Sequence, residues 1–514
     1  MSGTESYTYD LCVIGGGING AGIARDAAGR GLKVLLLEKD DLASSTSSAS
    51  TKLVHGGLRY LEYYEFRLVH EALRERDVLL GIAPHIIWPL NFILPDAYSI
   101  RPFWLVRCGL YLYDLLSSSF QKRIFPRSRA FNLRKHAYGD ALKDDYFLGV
   151  LYSDGWVQDS RLVVLNAMDA QDKGAVIKTR SECTGLQTHK NGWKILYKDR
   201  LRQVEKTVTA QLVVNAAGPW VHKVLEQNAL TGKSTPDVRL VQGSHIIVPK
   251  IYEGAHCYML QQPDRRIVFS IPYEEDFTLI GTTDTDYHGE DPHPVITPEE
   301  TDYLLNAANI YFQKQISRQD IVWTYSGVRP LLDDERGDAK AVTRDYKIHE
   351  EKFGNSEIIS VFGGKITTYR RLAETVLEKA SHILDFSKKS WTGKRHLPGG
   401  DISDCDVRAF LTSQRIRWHQ EDTRLLKRFA KNYGTKMVDI LSRPKGREFG
   451  DGIYESEIRY LIEKEFALTI DDILWRRSKL GLHISDAAKH NIEAALPALV
   501  KDITGYELEN ITRY

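Results

Sequence analysis

Residues 10–40 carry the pattern that most constrains the fold of this chain. An apolar run from Leu11 to Ile14 leads into a glycine-rich turn, a helical stretch follows, and a second apolar run ends at Glu38. In a βαβ dinucleotide-binding unit, glycines at this spacing permit a tight turn, let the backbone approach a pyrophosphate and let helix and strand pack closely. The helix N-terminus attracts phosphate, and the acid after the second strand binds ribose hydroxyls. A glycine turn alone is weak evidence, but the strand, helix and acid together predict a dinucleotide site.

Composition limits the other possibilities. At 514 residues the chain exceeds what one hydrophobic core usually supports, so we expect two or three domains. Its 69 Lys and Arg balance 68 Asp and Glu, so no overall charge favours a nucleic-acid partner. Five scattered cysteines without a CxxC pair support neither disulfides nor a metal site, and they favour a reduced, cytosolic setting. No export signal is recognised, and the most apolar stretch, residues 81–95, is too short and too interrupted by proline to span a bilayer.

The stretch after Glu38 is rich first in small hydroxyl residues and then in glycine. Residues 44–51 read SSTSSAST, and residues 55–60 read HGGLRY. Such a run is often a flexible linker, but here it follows the carboxyl ends of the first two strands, where an open α/β sheet binds its ligands. Together with the preceding IGGGINGAGIARDAAGRG, it closely resembles the flavin-dependent, membrane-associated glycerol-3-phosphate dehydrogenases.

Further segments extend this resemblance over nearly the whole chain. They are VVNAAGPWV (213–221), GSHIIVP (243–249), IGTTD (280–284), WTYSGVRPL (323–331), VTRDY (342–346), VFGGKITTYRRLAE (361–374) and DDILWRRSKLGL (471–482). The resemblance implies a glutathione-reductase-like and amino-acid-oxidase-like FAD-binding fold of class α/β + α. In that fold FAD, rather than NAD, lies along the first βαβ unit.

The patterns along the chain predict three domains. Residues 1–75, 150–235 and 325–395 are predicted to form a discontinuous FAD-binding domain. Residues 76–149 and 236–324 are predicted to form a substrate domain with a membrane-docking surface. Recurring β-branched runs in the second of these ranges predict a mixed or antiparallel sheet, interrupted by one helix at about residues 298–315. After a boundary at residues 397–400, helical patterns predict an all-α C-terminal domain at residues 396–514.

The resemblance implies an FAD site built from several separate segments. The NAAG turn at residues 215–218 would bring backbone against the dinucleotide, although an ordinary strand-to-helix turn explains it as well. The helix after Gly363 and Gly364 would aim its N-terminus at the flavin, which stabilises negative charge on the reduced ring. The predicted cofactor-binding residues are Gly15, Gly16, Gly17, Asn19, Gly20, Glu38, Lys39, Thr46, Ser47, Ser48, Ser50, His55, Gly56, Gly57, Ala217, Gly218, Trp220, Gly327, Gly363, Gly364, Lys365 and Thr367.

The substrate that the resemblance implies is sn-glycerol 3-phosphate. A phosphate ester needs cationic donors in fixed geometry, and arginine offers paired hydrogen bonds to phosphate oxygens. Arg329 and Arg344 lie in the family-like SGVRP and TRDY segments and are the predicted phosphate ligands. A single arginine is more often structural, so this assignment depends on the motif matches. Tyr60 and Thr283 are predicted as further substrate contacts.

The implied reaction oxidises the C2 alcohol to dihydroxyacetone phosphate, with hydride transfer to flavin N5. His245 is our first choice of catalytic base, because an unperturbed imidazole titrates near pH ~6.5. It would otherwise only orient the substrate. Alternatively, the positive charge of Arg59 or Lys365 stabilises the alkoxide form of the substrate.

Residues 99–135 are both basic and aromatic. Eight cations face one acid in this segment, a balance of 8 − 1 = +7, and this suits an anionic membrane surface. A core helix with a basic flanking loop is the other interpretation. Respiratory members of the family reduce quinone, which predicts a quinone acceptor and a cytoplasmic enzyme held on the inner face of the cell membrane. The residues are Arg101, Arg107, Lys122, Arg123, Arg127, Arg129, Arg134 and Lys135 against Asp114, interleaved with Phe103, Trp104, Leu110, Tyr111, Leu112, Tyr113 and Phe120.

Other functions stay open at this stage. An oxygen-using glycerophosphate oxidase would carry an additional insertion that is not seen here, and an amino-acid oxidase would not need the SGVRP and TRDY matches. A tRNA-binding flavoprotein would use the basic segment, but the balanced charge and the lack of a Cys motif argue against nucleic acid as a partner. A non-catalytic relative would stay yellow without being bleached by substrate. The sequence leaves open whether the chain forms a homodimer.

Overall fold

The computed structural model describes residues 8–96, 102–117, 125–232, 235–332, 346–387 and 389–507, without the side chains of residues 59, 62 and 63. Twenty strands lie in these ranges. They are β1 (Tyr9–Ile14), β2 (Val34–Leu37), β3 (Leu53–Val54), β4 (Ile87–Pro95), β5 (Arg129–Asn132), β6 (Leu148–Val157), β7 (Val176–Lys178), β8 (Ser181–His189), β9 (Gly192–Asp199), β10 (Val204–Asn215), β11 (Val238–Pro249), β12 (His256–Gln261), β13 (Ile267–Tyr273), β14 (Phe277–Gly281), β15 (Thr285–Asp286), β16 (Trp323–Leu332), β17 (Tyr346–Phe353), β18 (Ser356–Gly363), β19 (Glu448–Gly450) and β20 (Ile453–Tyr454).

Twelve α-helices occur in the same ranges, joined by short 3₁₀ turns. They are α1 (Ile18–Gly29), α2 (Phe66–Ile82), α3 (Phe103–Ser117), α4 (Asp159–Asp172), α5 (Val221–Gln227), α6 (Pro298–Asn309), α7 (Tyr369–Ala380), α8 (Val407–Arg417), α9 (Thr423–Tyr433), α10 (Met437–Leu441), α11 (Glu455–Glu465) and α12 (Asp486–Thr504). No helix in these ranges combines the length and the apolar character needed to cross a membrane.

The first sheet is organised by the predicted βαβ unit. Its central path runs β17, β18, β10, β1, β2, β7, and the hairpin of β8 and β9 joins it along β10. The pairs from β18 through to β7 are parallel, and helices α4 and α7 pack on α1 above them. A parallel sheet covered on both faces has continuous apolar strands, which explains why all four residues of β2 are buried.

The second sheet is mixed, as predicted for the substrate domain. Its path runs β15, β11, β14, β13, β12, β4, β6, β3, with β16 paired to β11 and β5 paired to β6. The β4–β12 pair is parallel and the other pairs are antiparallel. Helix α6 covers it and ends earlier than predicted, because the Asn309 side chain bonds both backbone groups of Ile316 and turns the chain.

Strand membership differs from the predicted domain division in three places. Strands β3, β6 and β16 fall largely in ranges predicted for the FAD-binding domain, yet all three pair in the second sheet. Strand β3 pairs with β6, β6 pairs with β4, and β16 pairs with β11, and these antiparallel pairs satisfy the backbone groups. Apolar periodicity predicts that a segment is a buried strand, but it does not say which sheet the strand joins. The domain boundaries therefore stay a prediction.

The C-terminal region is helical, as predicted, with its own apolar core. Helices α9, α11 and α12 contribute buried residues such as Phe429, Leu461 and Ile492 to that core. The prediction of an all-α domain missed one feature, the antiparallel pair of β19 and β20. These strands are only three and two residues long, which is too short for an alternation pattern to be seen. A π-helical segment at 472–477 places Trp475 on Trp323 of β16, with stacked rings 4.1 Å apart.

Candidate functional site

The glycine-rich turn between β1 and α1 forms the centre of the candidate site. Gly15 has φ +110°, and a Cβ there would lie 2.5 Å from the carbonyl oxygen of Ala216. A Cβ on Gly20 would lie 1.9 Å from the carbonyl oxygen of Gly15, so neither position tolerates a side chain. Helix α1 has no acidic residue in its first turn, which leaves its positive end available to an anion.

The hydroxyl-rich loop at 41–50 covers this turn, as predicted. The Ile18 amide at the start of α1 donates to Ser47 Oγ at 3.0 Å, and the Ala43 amide donates to the Gly16 carbonyl at 3.1 Å. The loop reaches the second sheet at Gly327, where a Cβ would lie 2.7 Å from the Ala49 side chain. The small serine and glycine residues here therefore let the two backbones approach closely, and the loop does not act as a flexible linker.

Glu38 lies at the end of β2, where the ribose-binding acid was predicted. Its carboxylate accepts hydrogen bonds from the Gly16 amide at 2.6 Å and from the Asp40 amide at 2.8 Å. Burial raises the pKa of Glu38 to about 7, against the opposing effect of these amides and of Lys39. Glu38 therefore changes its charge near neutral pH, at the position that the βαβ unit assigns to the ribose contact.

Two further predicted segments meet this turn from other parts of the chain. Asn19 Nδ2 donates to the Gly363 carbonyl at 3.3 Å, and the His55 amide donates to Thr367 Oγ1 at 3.3 Å. Asn19 Oδ1 and Trp220 Nε1 are buried without a hydrogen-bond partner. Buried polar atoms in proteins are normally paired, so orphans beside a glycine turn and a helix N-terminus fit a bound dinucleotide. The residues present thus suit FAD, which they would hold through backbone amides, Ser47, Glu38 and these two side chains.

Several predicted cofactor residues use their side chains elsewhere. The Thr46 hydroxyl donates to the Val328 carbonyl at 2.6 Å, and the Ser50 hydroxyl donates to Asp159 at 2.8 Å. Ser48 Oγ donates back to Ser45, and Lys39 lies 3.9 Å from Asp40. Short hydroxyl side chains bond whatever backbone is nearest, so these side chains fasten the loop.

The predicted phosphate-binding residue Arg329 lies on β16. Its Nη2 donates to Asp284 Oδ1 at 2.8 Å and to the Thr283 carbonyl at 3.0 Å. Thr283 itself was predicted to contact substrate, but its side chain is buried and its hydroxyl donates to Glu300 at 2.6 Å. Thr283 therefore supports Arg329 through its carbonyl. Arg344 and the other residues at 341–345 lie outside the described residues.

His245 shares a sheet face with Arg329. In the β11–β16 register His245 faces Tyr325, and Val241 faces Arg329. The pair between them on that face is Gly243 and Gly327, which carry no side chain. A Cβ on Gly243 would lie 2.7 Å from Arg329 Nη2, and one on Gly327 would lie 2.7 Å from the Ala49 side chain. The two glycines therefore let the Arg329 guanidinium and the loop at 41–50 lie close to the face that carries His245.

His245 itself is buried, with 2% of its surface exposed. Its Nε2 lies 3.0 Å from Thr51 Oγ1, its ring stacks on Tyr325 at 4.6 Å, and its Nδ1 is enclosed without a partner. Burial, followed by the charges of Lys52 and Arg329, lowers the pKa of His245 well below its ordinary value. The imidazole is neutral at physiological pH, which is the form that accepts a proton.

Tyr60 and Lys365 are brought together as predicted members of one site. Lys365 Nζ lies 3.9 Å from the centre of the Tyr60 ring, so the cation rests on an aromatic face. Backbone geometry fixes this end of the site, since a Cβ on Gly57 would lie 2.2 Å from the Tyr60 ring. The Gly56 amide donates to Tyr113 at 2.9 Å. The side chain of Arg59 is outside the part of the chain that the structure describes.

Sequence reasoning missed Thr51, Asp284 and Tyr325. Each adjoins or lies within a segment that was recognised, but none carries a chemistry that stands out in the sequence. Lys52 was also missed. It is buried, donates to Asp159 at 2.9 Å and lies 4.8 Å from the Tyr325 ring centre. A lysine directly after a run of hydroxyl residues was the available signal.

The segment predicted to dock on a membrane is exposed in part. Helix α3 exposes Trp104, Tyr111 and Leu115 with 65%, 68% and 56% of their surface accessible. Leu110 and Tyr113 of the same segment are buried instead, because the Tyr113 hydroxyl donates to Asp154 at 2.6 Å inside the core. Arg101, Lys122, Arg123 and Phe120 lie outside the described residues.

Two protein families match this chain. Residues 10–370 match the FAD dependent oxidoreductase family, and residues 390–505 match the C-terminal domain of alpha-glycerophosphate oxidase. The first match contains the glycine turn, the hydroxyl-rich loop, His245 and Arg329. The second contains the helical region that packs on β16. Together the two matches confirm the predicted FAD-binding fold and its helical C-terminal domain.

Individual relatives cover almost the full chain. D-Erythritol 1-phosphate dehydrogenase of Brucella abortus is 47% identical over 94% of this chain and 97% of that protein. Glycerol-3-phosphate dehydrogenase of Pseudomonas aeruginosa is 48% identical over 93% of each. The X-ray structure of the glycerol-3-phosphate dehydrogenase from Bacillus halodurans complexed with FAD is 26% identical, with a TM-score of 0.74 over 100% of this chain and 97% of that one.

Proposed function

Because this chain belongs to the family of FAD-dependent glycerol-3-phosphate dehydrogenases, we propose that it oxidises the C2 alcohol of sn-glycerol 3-phosphate to dihydroxyacetone phosphate. One observation supports this choice above the others. Arg329, held by Asp284 and Thr283, lies over Gly243 on the same sheet face as the neutral His245. A phosphate on the first and an alcohol near the second require a small phosphorylated polyol.

D-Erythritol 1-phosphate is the second candidate substrate. The relative from Brucella abortus bears its name and is as similar to this chain as the glycerol-3-phosphate dehydrogenase from Pseudomonas aeruginosa. Both compounds carry a phosphate ester and a secondary alcohol, so the same two groups would recognise either. The length of the polyol beyond the reacting carbon distinguishes them.

Binding and orientation of the substrate fall to the cations. Arg329 binds the phosphate with a planar pair of donors, and Arg344 joins it in this proposal. In this proposal Lys365, whose Nζ lies on the Tyr60 ring, stabilises the developing alkoxide by its charge. FAD, when bound, supplies the two-electron acceptor for the hydride at flavin N5.

His245 takes the hydroxyl proton. In this proposal the neutral imidazole carries its proton on Nε2 and donates it to Thr51 Oγ1, 3.0 Å away, which leaves the lone pair of Nδ1 as the proton acceptor. Because Nδ1 is enclosed, substrate binding must uncover it, and hydrogen bonds of this kind often tighten only in the complex with substrate. Burial, Lys52 and Arg329 disfavour an imidazolium, so His245 would release the proton to solvent as the product leaves.

The electron acceptor in this proposal is a membrane quinone, and the enzyme lies on the inner face of the cell membrane. The exposed Trp104, Tyr111 and Leu115 of α3 support the docking surface, with Arg127, Arg129 and Arg134 nearby in the chain. Aromatic side chains favour the headgroup region, and basic side chains favour anionic lipid.

An anaerobic titration of the flavin absorbance tests the proposed reaction. We expect sn-glycerol 3-phosphate to bleach the purified enzyme at about one equivalent, with D-erythritol 1-phosphate and glycerol as comparisons. Preferential bleaching by D-erythritol 1-phosphate would show that the longer polyol phosphate is the substrate. A yellow protein that neither phosphate ester bleaches would contradict the function. Reoxidation by oxygen as fast as by a short-chain quinone would make the protein an oxidase.

A further inference from the structure

The C-terminal domain reaches the cofactor-binding loop through a buried cluster of charges. Asp41, at the start of that loop, accepts hydrogen bonds from Arg180 Nη1 at 3.0 Å, Arg476 Nε at 2.6 Å and Arg477 Nη2 at 2.8 Å. Asp472 accepts from Arg180 Nη2 at 2.5 Å and pairs with Arg476. Asp41 is 2% exposed, and Asp472 and Arg477 are fully buried.

The backbone of the loop connects this cluster to the glycine turn. Asp41 is two residues before Ala43, whose amide donates to the Gly16 carbonyl at 3.1 Å. The Ser44 amide bonds back to the Asp41 carbonyl at 3.2 Å, and Ser47 then accepts from the Ile18 amide at 3.0 Å. A shift of Asp41 would therefore displace both contacts between the loop and the N-terminus of α1.

Charge and burial make the cluster act as a unit. Three guanidinium groups face two carboxylates, and burial alone would raise the pKa of Asp472, but Arg180, Arg476 and Arg477 lower it well below its ordinary value. Arg477 also donates through Nε to the Glu465 carbonyl at 2.7 Å, which anchors it in the helical domain. Removal of Arg477 takes two of the hydrogen bonds that the buried Asp41 accepts, and removal of Asp41 leaves three cations against one carboxylate. Loss of a partner from a buried ion pair is strongly unfavourable.

We propose that the C-terminal domain is part of the FAD-binding apparatus of this enzyme. Arg477, assisted by Arg476, is a positioning residue that holds the loop beginning at Asp41 against the glycine turn, and it thereby sets the affinity for FAD. The role is independent of which polyol phosphate is oxidised, because the cluster acts on the loop that contacts the glycine turn.

Measurement of FAD binding to apoprotein, by quenching of flavin fluorescence, tests the proposal without an activity assay. We expect Arg477→Met to raise the Kd for FAD at least tenfold and Arg477→Lys, which keeps the charge, to raise it less. Asp41→Asn is isosteric and should weaken FAD binding similarly. The double variant should be no worse than the weaker-binding single variant, because residues in one network are not additive.

Arg161 provides the matched control at the same domain interface. It is 2% exposed and donates from α4 to Glu465 at 2.9 Å and to the Asn432 carbonyl at 2.7 Å, with no bond to the loop at 41–50. We expect Arg161→Met to lower the melting temperature but to change the Kd for FAD less than twofold. Equal weakening by Arg161→Met and Arg477→Met would show a general docking effect and overturn the proposal.

Native FAD affinity in folded Arg477→Met, judged by far-ultraviolet circular dichroism, would also overturn it. If Arg477→Met does not fold, the isosteric Asp41→Asn decides the matter. A native Kd for FAD in that variant refutes the proposed role of the cluster, and a raised Kd with an unchanged circular dichroism spectrum supports it.

Discussion

Asp284 Oδ1 accepts a hydrogen bond from Arg329 Nη2 at 2.8 Å, and the Thr283 carbonyl accepts from the same nitrogen at 3.0 Å. Two acceptors on one nitrogen fix the plane of the guanidinium as well as balancing its charge. A phosphate that binds this arginine meets a group already oriented. The arrangement separates geometry from charge, and the two can be tested independently.

Arg329→Lys keeps the charge but loses the planar fork. Charge-assisted hydrogen bonds contribute roughly 1.5–3 kcal/mol each, and about 1.4 kcal/mol is a tenfold change in a binding constant. We therefore expect KM for sn-glycerol 3-phosphate to rise about tenfold or more, with unchanged flavin content. Glycerol, which lacks the phosphate, should be a poor substrate and lose little further rate. Equal loss of turnover on both alcohols would place Arg329 in the C2 chemistry instead.

Asp284→Asn tests the orientation of the same guanidinium. The amide keeps the shape and one acceptor oxygen but removes the charge, so Arg329 is held less firmly. KM for the phosphate ester should rise a few fold, with a smaller effect than Arg329→Lys. Steady-state kinetics and a flavin spectrum suffice for this comparison. A lower KM in Asp284→Asn would show that the carboxylate mainly repels the phosphate.

Thr51→Val removes the hydrogen-bond partner of His245 Nε2 and nearly preserves the shape. General base catalysis contributes typically 10²–10⁴-fold, and loss of orientation alone should lower kcat about tenfold. Thr51→Ser retains the hydroxyl and should keep most of the native kcat. Crystallography or thermal melting can confirm that the fold is intact. Unchanged kcat in Thr51→Val would remove Thr51 from the proposed proton path.

The lowered pKa of His245 also predicts the pH profile of the native enzyme. A histidine whose folded pKa is depressed is neutral above its ordinary value near 6.5, and it opposes folding only as pH falls below that value. The acid limb of kcat/KM due to this residue, which reports the free enzyme, should therefore lie well below pH 6.5. A limb near pH 7 that disappears in Thr51→Val would contradict the lowered pKa.

Glu38 predicts a pH dependence of cofactor binding. Its pKa is raised to about 7, and the ribose hydroxyls require the carboxylate as acceptor. FAD binding then expels a proton, so its Kd should increase as pH falls from 8 to 6, approaching tenfold per unit below about 7. Glu38→Gln should bind FAD more weakly at pH 8 with a flatter profile. A pH-independent Kd in the native protein would exclude this contact.

The docking surface is tested with Trp104→Ser combined with Tyr111→Ser. Both side chains are about two-thirds exposed on α3, so their loss should leave stability and dye-linked activity unchanged. Cosedimentation with anionic liposomes should fall several fold and weaken further with salt. Ile416→Ser, at 74% exposure in the C-terminal domain, is the matched control and should have no effect. Equal binding of liposomes by both variants would show that α3 is not the docking surface.

Much of the site could be predicted from local patterns. The glycine turn, the acid at Glu38 and the basic aromatic segment are each read from a short stretch, because their chemistry depends on local backbone geometry or composition. Thr51 and Asp284 could not be identified in this way, since their importance comes from a hydrogen bond to a residue far away in the chain. Tyr113 was assigned to the exposed segment for the same reason, because its partner Asp154 lies 41 positions further on.

The sequence by itself determined the βαβ unit, the FAD-binding fold, the helical C-terminal domain and the family. The βαβ unit and the helical domain follow from local periodicity and glycine positions, and the FAD-binding fold and the family follow from the resemblance of the ordered motifs to a known family. Neither argument needs knowledge of any distant contact. Only the tertiary structure decided that β6 and β16 join the second sheet and that His245 is buried and neutral beside Thr51. It also decided that Arg477 donates hydrogen bonds to Asp41, 436 positions away in the chain. Burial and the pairing of charges are properties of the packed chain, because they depend on which distant segments exclude water from a side chain.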